Sequence, residues 1–336
     1  MVFPRMWLGR LCGAILVTAV LVSCSQPTST SGGGSNLPKT IGFSQKSVGA
    51  AGSWRAVQTK SIQDAITGQG TTLVFSAGDG THATQVNAVR SFIAQKVDVI
   101  VLDCYQASSW DSVLGEAKTA GIPVVFVDTG ATVSDSSLYK SFVGSDHKVT
   151  GKQVAVALEN QFSSGGLVLE ILGPAGNQAS TDRQSGFEAE LSAHGGFTLV
   201  SPSLTGSFTK SDAKTAMATY ISGNPSPAPV AIFAANDEMA LGAIEAITAV
   251  SGGALKIGTT NVVVVSVDGE KTALQSVKDG KLLYTYDCNP LEGPLVIDVC
   301  NKIHAGTSVD AFVPVTGERG YKQADVTDAL IAARAY

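Results

Sequence analysis

Two runs of consecutive apolar residues, Val99-Ile100-Val101-Leu102 and Val124-Val125-Phe126-Val127, constrain the fold more than anything else in the sequence. A strand with one wet face alternates apolar and polar residues. One that is apolar at every position is covered on both faces, the condition of a parallel sheet layered between helices. Around these runs the pattern repeats: strand-length segments at 40–43, 72–75, 97–102 and 123–128 alternate with helix-length amphipathic segments at 53–66, 84–95 and 109–120. Each crossover carries a helix, so the strands must lie parallel. After a short run at 141–144 the alternation restarts, with predicted helices over 146–161, 180–193, 210–222, 238–250 and 271–279 separating predicted strands over 167–172, 198–201, 230–233, 262–267 and 282–286. A helix over 290–304 and a strand over 312–315 are too few for a third domain and are expected to pack back on the first two. The fold class is therefore α/β, with two doubly wound parallel-sheet lobes.

Residues 1–23 read as an export signal, because Arg5 and Arg10 flank an apolar stretch over 11–22 that is too short to span a bilayer. Leu21-Val22-Ser23-Cys24 resembles the bacterial lipobox, which implies cleavage before Cys24 and a thioether-linked diacylglycerol on it. Two acyl chains turn marginal membrane binding into stable anchoring, here on the extracytoplasmic face of the cell membrane. Residues 24–37 follow as a tether, with no aliphatic side chain between 25 and 36. Loss of the signal removes two arginines and no acid, taking the formal charge from −5 to −7. An acidic chain without a basic stripe excludes nucleic acid as a partner. Cys12 leaves with the signal and Cys24 is lipidated, so Cys104, Cys288 and Cys300 remain, enough for at most one disulfide and spaced unlike any metal or redox motif.

Ligands of open α/β sheets bind beyond the carboxyl ends of the strands. The residues there are unusually polar: Gln45 after the first strand, Trp54-Arg55 opening the first helix, then Asp103, Asp128, Asn236-Asp237, Asp268, Asp287 and Asn289, with Arg183 near the start of a helix in the second lobe. Any one of these acids also reads as a helix N-cap, and Trp54 also reads as a core aromatic. Together they fit a small polyol: carboxylates and guanidinium groups engage vicinal hydroxyls through charge-assisted bonds, and an indole covers the C–H face of a sugar ring. Catalytic readings fare worse. His82, His147, His194 and His304 share no helical spacing, so neither a zinc site nor a histidine-based triad is suggested. Leu172-Gly173-Pro174-Ala175-Gly176 lacks the dinucleotide glycine pattern and no phosphate-cradling loop is present. No metal, no cofactor and no enzymatic activity are expected.

The motifs resemble those of the periplasmic sugar-binding proteins of bacterial ABC importers, of the type I ribose- and galactose-binding class, over about residues 38–320. The resemblance rests on Ile41-Gly42-Phe43-Ser44-Gln45, Ser53-Trp54-Arg55-Ala56, Ala88-Val89-Arg90-Ser91-Phe92-Ile93-Ala94-Gln95, Asp182-Arg183-Gln184-Ser185-Gly186-Phe187, Asn236-Asp237-Glu238-Met239-Ala240-Leu241-Gly242-Ala243 and Ser266-Val267-Asp268-Gly269. The first two are most similar to galactofuranose-binding proteins. The resemblance implies that Asp128, Arg183, Asn236 and Asp268 bond sugar hydroxyls and that Trp54 and Arg55 line the pocket. Two departures stand out: Thr129 occupies the place of an arginine that often follows the aspartate, and a polar amide near Cys288 would have to be replaced by Asp287 or Asn289. Asp103 or Arg55 would compensate for the arginine. The resemblance further implies three hinge crossings, near Ser141, Cys288 and Gly306, dividing the chain into an N-terminal lobe of residues 38–141 and 289–306 and a C-terminal lobe of residues 142–288 and 307–336. The expected protein is a lipid-anchored monomer that captures a monosaccharide, in a furanose form such as galactofuranose or arabinofuranose, and passes it to ABC permease subunits. The alternative is a sugar-sensing lipoprotein that signals to a sensor partner.

Overall fold

The computed structural model describes residues 36–223, 226–250, 255–258 and 261–336. The expected signal, Cys24 and all but the end of the tether lie outside the described residues. The described residues begin with β1 (Thr40–Gln45), α1 (Trp54–Gly68), β2 (Thr72–Ala77), α2 (His82–Ala94), β3 (Val99–Leu102), α3 (Asp111–Thr119), β4 (Val124–Val127) and β5 (Ser141–Gly144). It continues through α4 (His147–Gln161), β6 (Gly166–Leu172), α5 (Gln178–His194), β7 (Phe197–Leu199), β8 (Leu204–Thr205), α6 (Lys210–Ser222), β9 (Ala231–Ala234), α7 (Asp237–Ala249), β10 (Val263–Asp268), α8 (Lys271–Lys278) and β11 (Tyr284–Asp287). The tail adds α9 (Gly293–His304), β12 (Phe312–Pro314), β13 (Gly320–Tyr321) and α10 (Asp328–Ala333).

These elements build two sheets. The first has strand order β12-β5-β4-β3-β1-β2 and is wholly parallel. The second has order β13-β11-β10-β9-β6-β7, with β8 beside β6, and only β13 runs antiparallel. Both contain the same winding, with a reversal of strand order next to the first strand of the lobe. Every residue of β3, β4 and β9 is buried, as their unbroken apolar runs require.

The chain passes between the lobes three times: after β5, after β11, and between β12 and β13. The third passage corrects the expected one near Gly306. Phe312–Pro314 pairs with Phe142–Gly144, so residues 307–314 complete the first sheet and the chain returns to the second lobe only with β13. Nothing in residues 307–314 alone distinguishes an edge strand of one sheet from the other. Residues 142–144 likewise belong to the first lobe, because β5 pairs with β4 through residues 141–143 and with β12 through residues 142–144. One core cluster of the first lobe joins Ile41, Phe43, Ile62 and Ile66 to Val296, Val299 and Cys300 of α9. Cys104, Cys288 and Cys300 are free, each in a different core cluster.

Candidate functional site

Both strand-order reversals face the same cleft, and a cavity of about 410 Å³ lies there. Its walls include Lys46, Trp54, Arg55, Tyr105 and Asp128 from the first lobe and Asn177, Arg183, Phe208, Asn236, Asp268 and Glu270 from the second. The volume is within the range of small-molecule sites.

Local structure places these side chains. Asp128 follows β4 with φ of 58° and Asp268 ends β10 with φ of 122°, conformations that side chains rarely adopt and that turn the chain sharply at each strand end. Asn236 caps α7 by accepting from the Met239 amide at 2.9 Å, and Asn177 caps α5 by accepting from the Ser180 amide at 3.3 Å. Arg183 is one turn further along α5 and 4% exposed. It donates to the Ala235 carbonyl at 2.7 Å and pairs with Asp268 at 2.9 Å.

Across the cleft, Arg55 Nη1 donates to Asp128 Oδ2 at 3.0 Å and also to Asp103, and Gln58 Oε1 accepts from the same nitrogen at 2.7 Å. Its guanidinium lies over the Trp54 ring, 4.8 Å from the centroid, a cation–π contact. Trp54 Nε1 donates to the Cys288 carbonyl. Trp54 is thus both things the sequence allowed: 7% exposed and packed on the second lobe's core, yet part of the cavity wall. The lobes also touch at the cleft mouth, where the Ala107 amide donates to the Gly176 carbonyl at 2.9 Å and Asn177 Nδ2 to the Tyr105 carbonyl at 3.2 Å.

Burial pushes the Asp128 carboxyl up, but Lys46, Arg55, His147 and Arg183 outweigh it and hold the group well below the usual carboxylate range. Burial raises Asp103 and Asp268, against the pull of their cations. Glu270, also on the cavity wall, is raised well above the usual carboxylate range by burial and by its acidic neighbours. Burial and Arg183 bring His147 down to about 4, leaving it neutral, with Nε2 bonded to the Asp128 carbonyl at 2.8 Å.

Of the ten residues expected at the site, Trp54, Arg55, Asp128, Arg183, Asn236 and Asp268 line the cavity; four do not. Gln45 is fully buried, donating to Gln58 at 2.9 Å and Thr59 at 3.1 Å, and so ties α1 to β1. Asp103 sits behind the wall, where it anchors Arg55 and Lys46. Asp287 is claimed by the tail, accepting from Arg334 at 2.9 Å, Tyr336 at 2.6 Å and Tyr321 at 3.2 Å. Asn289 belongs to the second passage, its side chain accepting from the Leu291 amide at 3.0 Å. Lys46, Tyr105, Asn177, Phe208 and Glu270 were not expected. Lys46 and Glu270 each follow a strand end, the same signal that flagged the aspartates, but a charged residue there also reads as solvated.

Residues 41–306 match the family described as periplasmic binding protein domain. The chain belongs to that family. This binding protein is 34% identical over 260 residues to the galactofuranose-binding protein YtfQ of Escherichia coli, covering 76% of this chain and 80% of YtfQ. Among solved structures it is similar to a Mycobacterium smegmatis protein in complex with β-D-fucofuranose, with a TM-score of 0.79 at 35% identity, covering 88% of this chain and 96% of the other. It is likewise similar to the periplasmic binding component of the arabinose ABC transporter from Shewanella sp. ANA-3, bound to L-arabinofuranose, with a TM-score of 0.81 at 30% identity over 88% of this chain and 95% of the other. The resemblance to type I sugar-binding proteins, those for galactofuranose among them, and the two-lobed α/β fold are both borne out. Among the described residues no group of three or more His, Cys, Asp or Glu is gathered to hold a metal ion.

Proposed function

We propose that this binding protein captures a neutral monosaccharide in a furanose form and delivers it to an ABC importer, held at the extracytoplasmic membrane face by a lipid on Cys24. The observation that carries the reading is the charge pairing around the cavity. Lys46 and Arg55 face Asp103 and Asp128, and Arg183 faces Asp268, so each buried cation has a carboxylate partner. A site balanced in this way has no surplus charge for an anionic or cationic ligand, whereas its fixed donors and acceptors suit a polyhydroxyl compound through charge-assisted hydrogen bonds. The furanose form is supported by the ligands named for the relatives. Phe208 and Trp54 supply aromatic surface for the ring's C–H faces.

Titration calorimetry of the mature chain against galactose, arabinose, fucose, fructose and ribose, with the isolated methyl furanosides and pyranosides of the tightest binder, tests this reading. One sugar is expected to bind with micromolar or better affinity, about −8 kcal/mol, and its furanoside to outcompete its pyranoside. No heat from any sugar would sink the proposal. Substitution of Cys24 by Ala is expected to move the expressed protein from the membrane to the soluble fraction, and retention in the membrane would remove the lipid anchor from it.

A further inference from the structure

Thr129 stands where the resemblance leads one to expect an arginine, and a cation from a different element reaches the same spot. Lys46, the first residue past β1, is 7% exposed and lines the cavity. Its ammonium donates to Asp128 Oδ2 at 3.1 Å and Thr129 Oγ1 at 2.9 Å, and forms an ion pair with Asp103 Oδ1 at 3.0 Å. An ammonium has three N–H groups. Two of them are spent on Asp128 and Thr129 within the wall, and the ion pair with Asp103 holds the ammonium there.

Its effect falls instead on Asp128. Asp128 Oδ2 accepts from both Lys46 and Arg55 Nη1, at 3.1 and 3.0 Å. Asp128 Oδ1 accepts from no donor among the described residues; His147 Nε2 is 3.6 Å away and is committed to the Asp128 carbonyl. One carboxylate oxygen is pinned by two cations and the other is left as an acceptor on a residue of the cavity wall.

We infer that Lys46 is a positioning residue for ligand recognition: from the β1 side it fixes Asp128 so that Oδ1 serves as a single, ionised acceptor for one donating hydroxyl of the ligand. This rests on the sugar-binding reading above. The recognised hydroxyl must donate, because an ionised carboxylate only accepts. Burying an ammonium is unfavourable unless it is paired and hydrogen-bonded, so an apolar residue would meet a purely structural need at this position at least as well. The groups that face Asp128 are Lys46, Arg55, His147 and Arg183, which favour the ionised form, and Asp103, Asp268, Glu292 and the Cys288 thiol, which disfavour it. Loss of Lys46 therefore shifts the balance toward protonation as pH falls.

The test follows the Asp128 ¹³Cγ resonance of ¹³C-aspartate-labelled mature protein against pH, in wild type and in Lys46→Gln, with calorimetry on the tightest-binding sugar of the panel between pH 5 and 8. In Lys46→Gln the resonance is expected to titrate at least one pH unit higher than in wild type. Its affinity is expected to fall at least tenfold between pH 5 and 8, because Asp128 Oδ2 is no longer held from the β1 side. Lys46→Arg, which restores the charge, is expected to recover the wild-type titration. A Lys46→Gln protein with the wild-type titration and affinity overturns the inference. If circular dichroism shows that Lys46→Gln is unfolded, Asp103→Asn decides: it frees the ammonium from its second anchor, so affinity drops several-fold with no upward move of the Asp128 titration, and unchanged affinity overturns the inference. Should wild type bind no sugar, the sugar reading fails by itself, and the titration still decides whether Lys46 holds Asp128.

Discussion

Asp268 and Asp287 are register partners at the ends of adjacent strands, yet only one of them lines the cavity. The difference is made by distant residues. Asp287 is drawn away by Arg334, Tyr321 and Tyr336, whose side chains arrive from 34 to 49 residues later in the chain, whereas Asp268 is turned by its positive φ toward Arg183. That an acid follows a strand was legible in the sequence; which way it faces was not, because local sequence does not encode a partner that the tail delivers. Lys46 escaped notice for the same reason, since only Asp103, Asp128 and Thr129 make a lysine at that position buried. Asp128→Asn keeps the shape and a residue type that tolerates the left-handed backbone. It is expected to weaken sugar binding more than tenfold with a thermal midpoint within a few degrees of wild type, as calorimetry and a melting curve would record. Arg183→Ala is expected to lose at least as much affinity and also to lower stability, because it strands the buried Asp268 without its partner. Affinity close to wild type in either variant would take that residue out of the site.

The predicted helices and strands lie within a few residues of those observed through β11, because a helix face and a strand buried on both sides impose different periods on the same composition. The contacts between elements were less visible. A Cβ on Gly151 of α4 would sit 2.0 Å from the Arg183 carbonyl, and one on Gly186 of α5 would sit 2.1 Å from the Lys148 carbonyl, so these two helices meet backbone to backbone. Gly242 of α7 meets the Lys210 carbonyl of α6 at 2.3 Å, and Gly293 of α9 meets the Ser61 carbonyl of α1 at 2.1 Å. The quoted motifs contain Gly186 and Gly242, but a glycine in a helix gives no sign of which neighbour it admits. Gly151→Ala must push α4 from α5 at the level of Arg183. Overpacking of this kind costs about 1–3 kcal/mol, and denaturant unfolding is expected to show it. Because Arg183 rides on the displaced segment, affinity for the sugar is expected to fall several-fold as well, and a loss of stability with full affinity would uncouple this helix contact from the site.

At the scale of the molecule, one carboxyl fastens all three passages between lobes. Glu318 Oε1, on the third, accepts from Ser145 Oγ on the first and from the Asn289 amide on the second at 2.8 Å, and Cys288 Sγ donates to Ser145 Oγ at 3.2 Å. Burial lifts Glu318 to about 7, against these hydrogen bonds. Its folded value is above its unfolded one, so the native state holds the proton more tightly; this contribution to stability is whole below about pH 4.5 and drains away as pH rises through 7. Glu318→Gln keeps the accepting oxygen and removes the titration. Its melting temperature is expected to decline less than that of wild type between pH 5 and 8, and parallel curves would refute a titrating hinge.

The α9 helix and β12 also set a timetable for biosynthesis. Ile41, Phe43, Ile62 and Ile66 cannot close their core until Val296, Val299 and Cys300 have been made, and the edge of the first sheet waits for residue 314. The half of the protein that leaves the ribosome first is therefore among the last to finish folding, and for some 230 residues of synthesis it remains an unfinished chain.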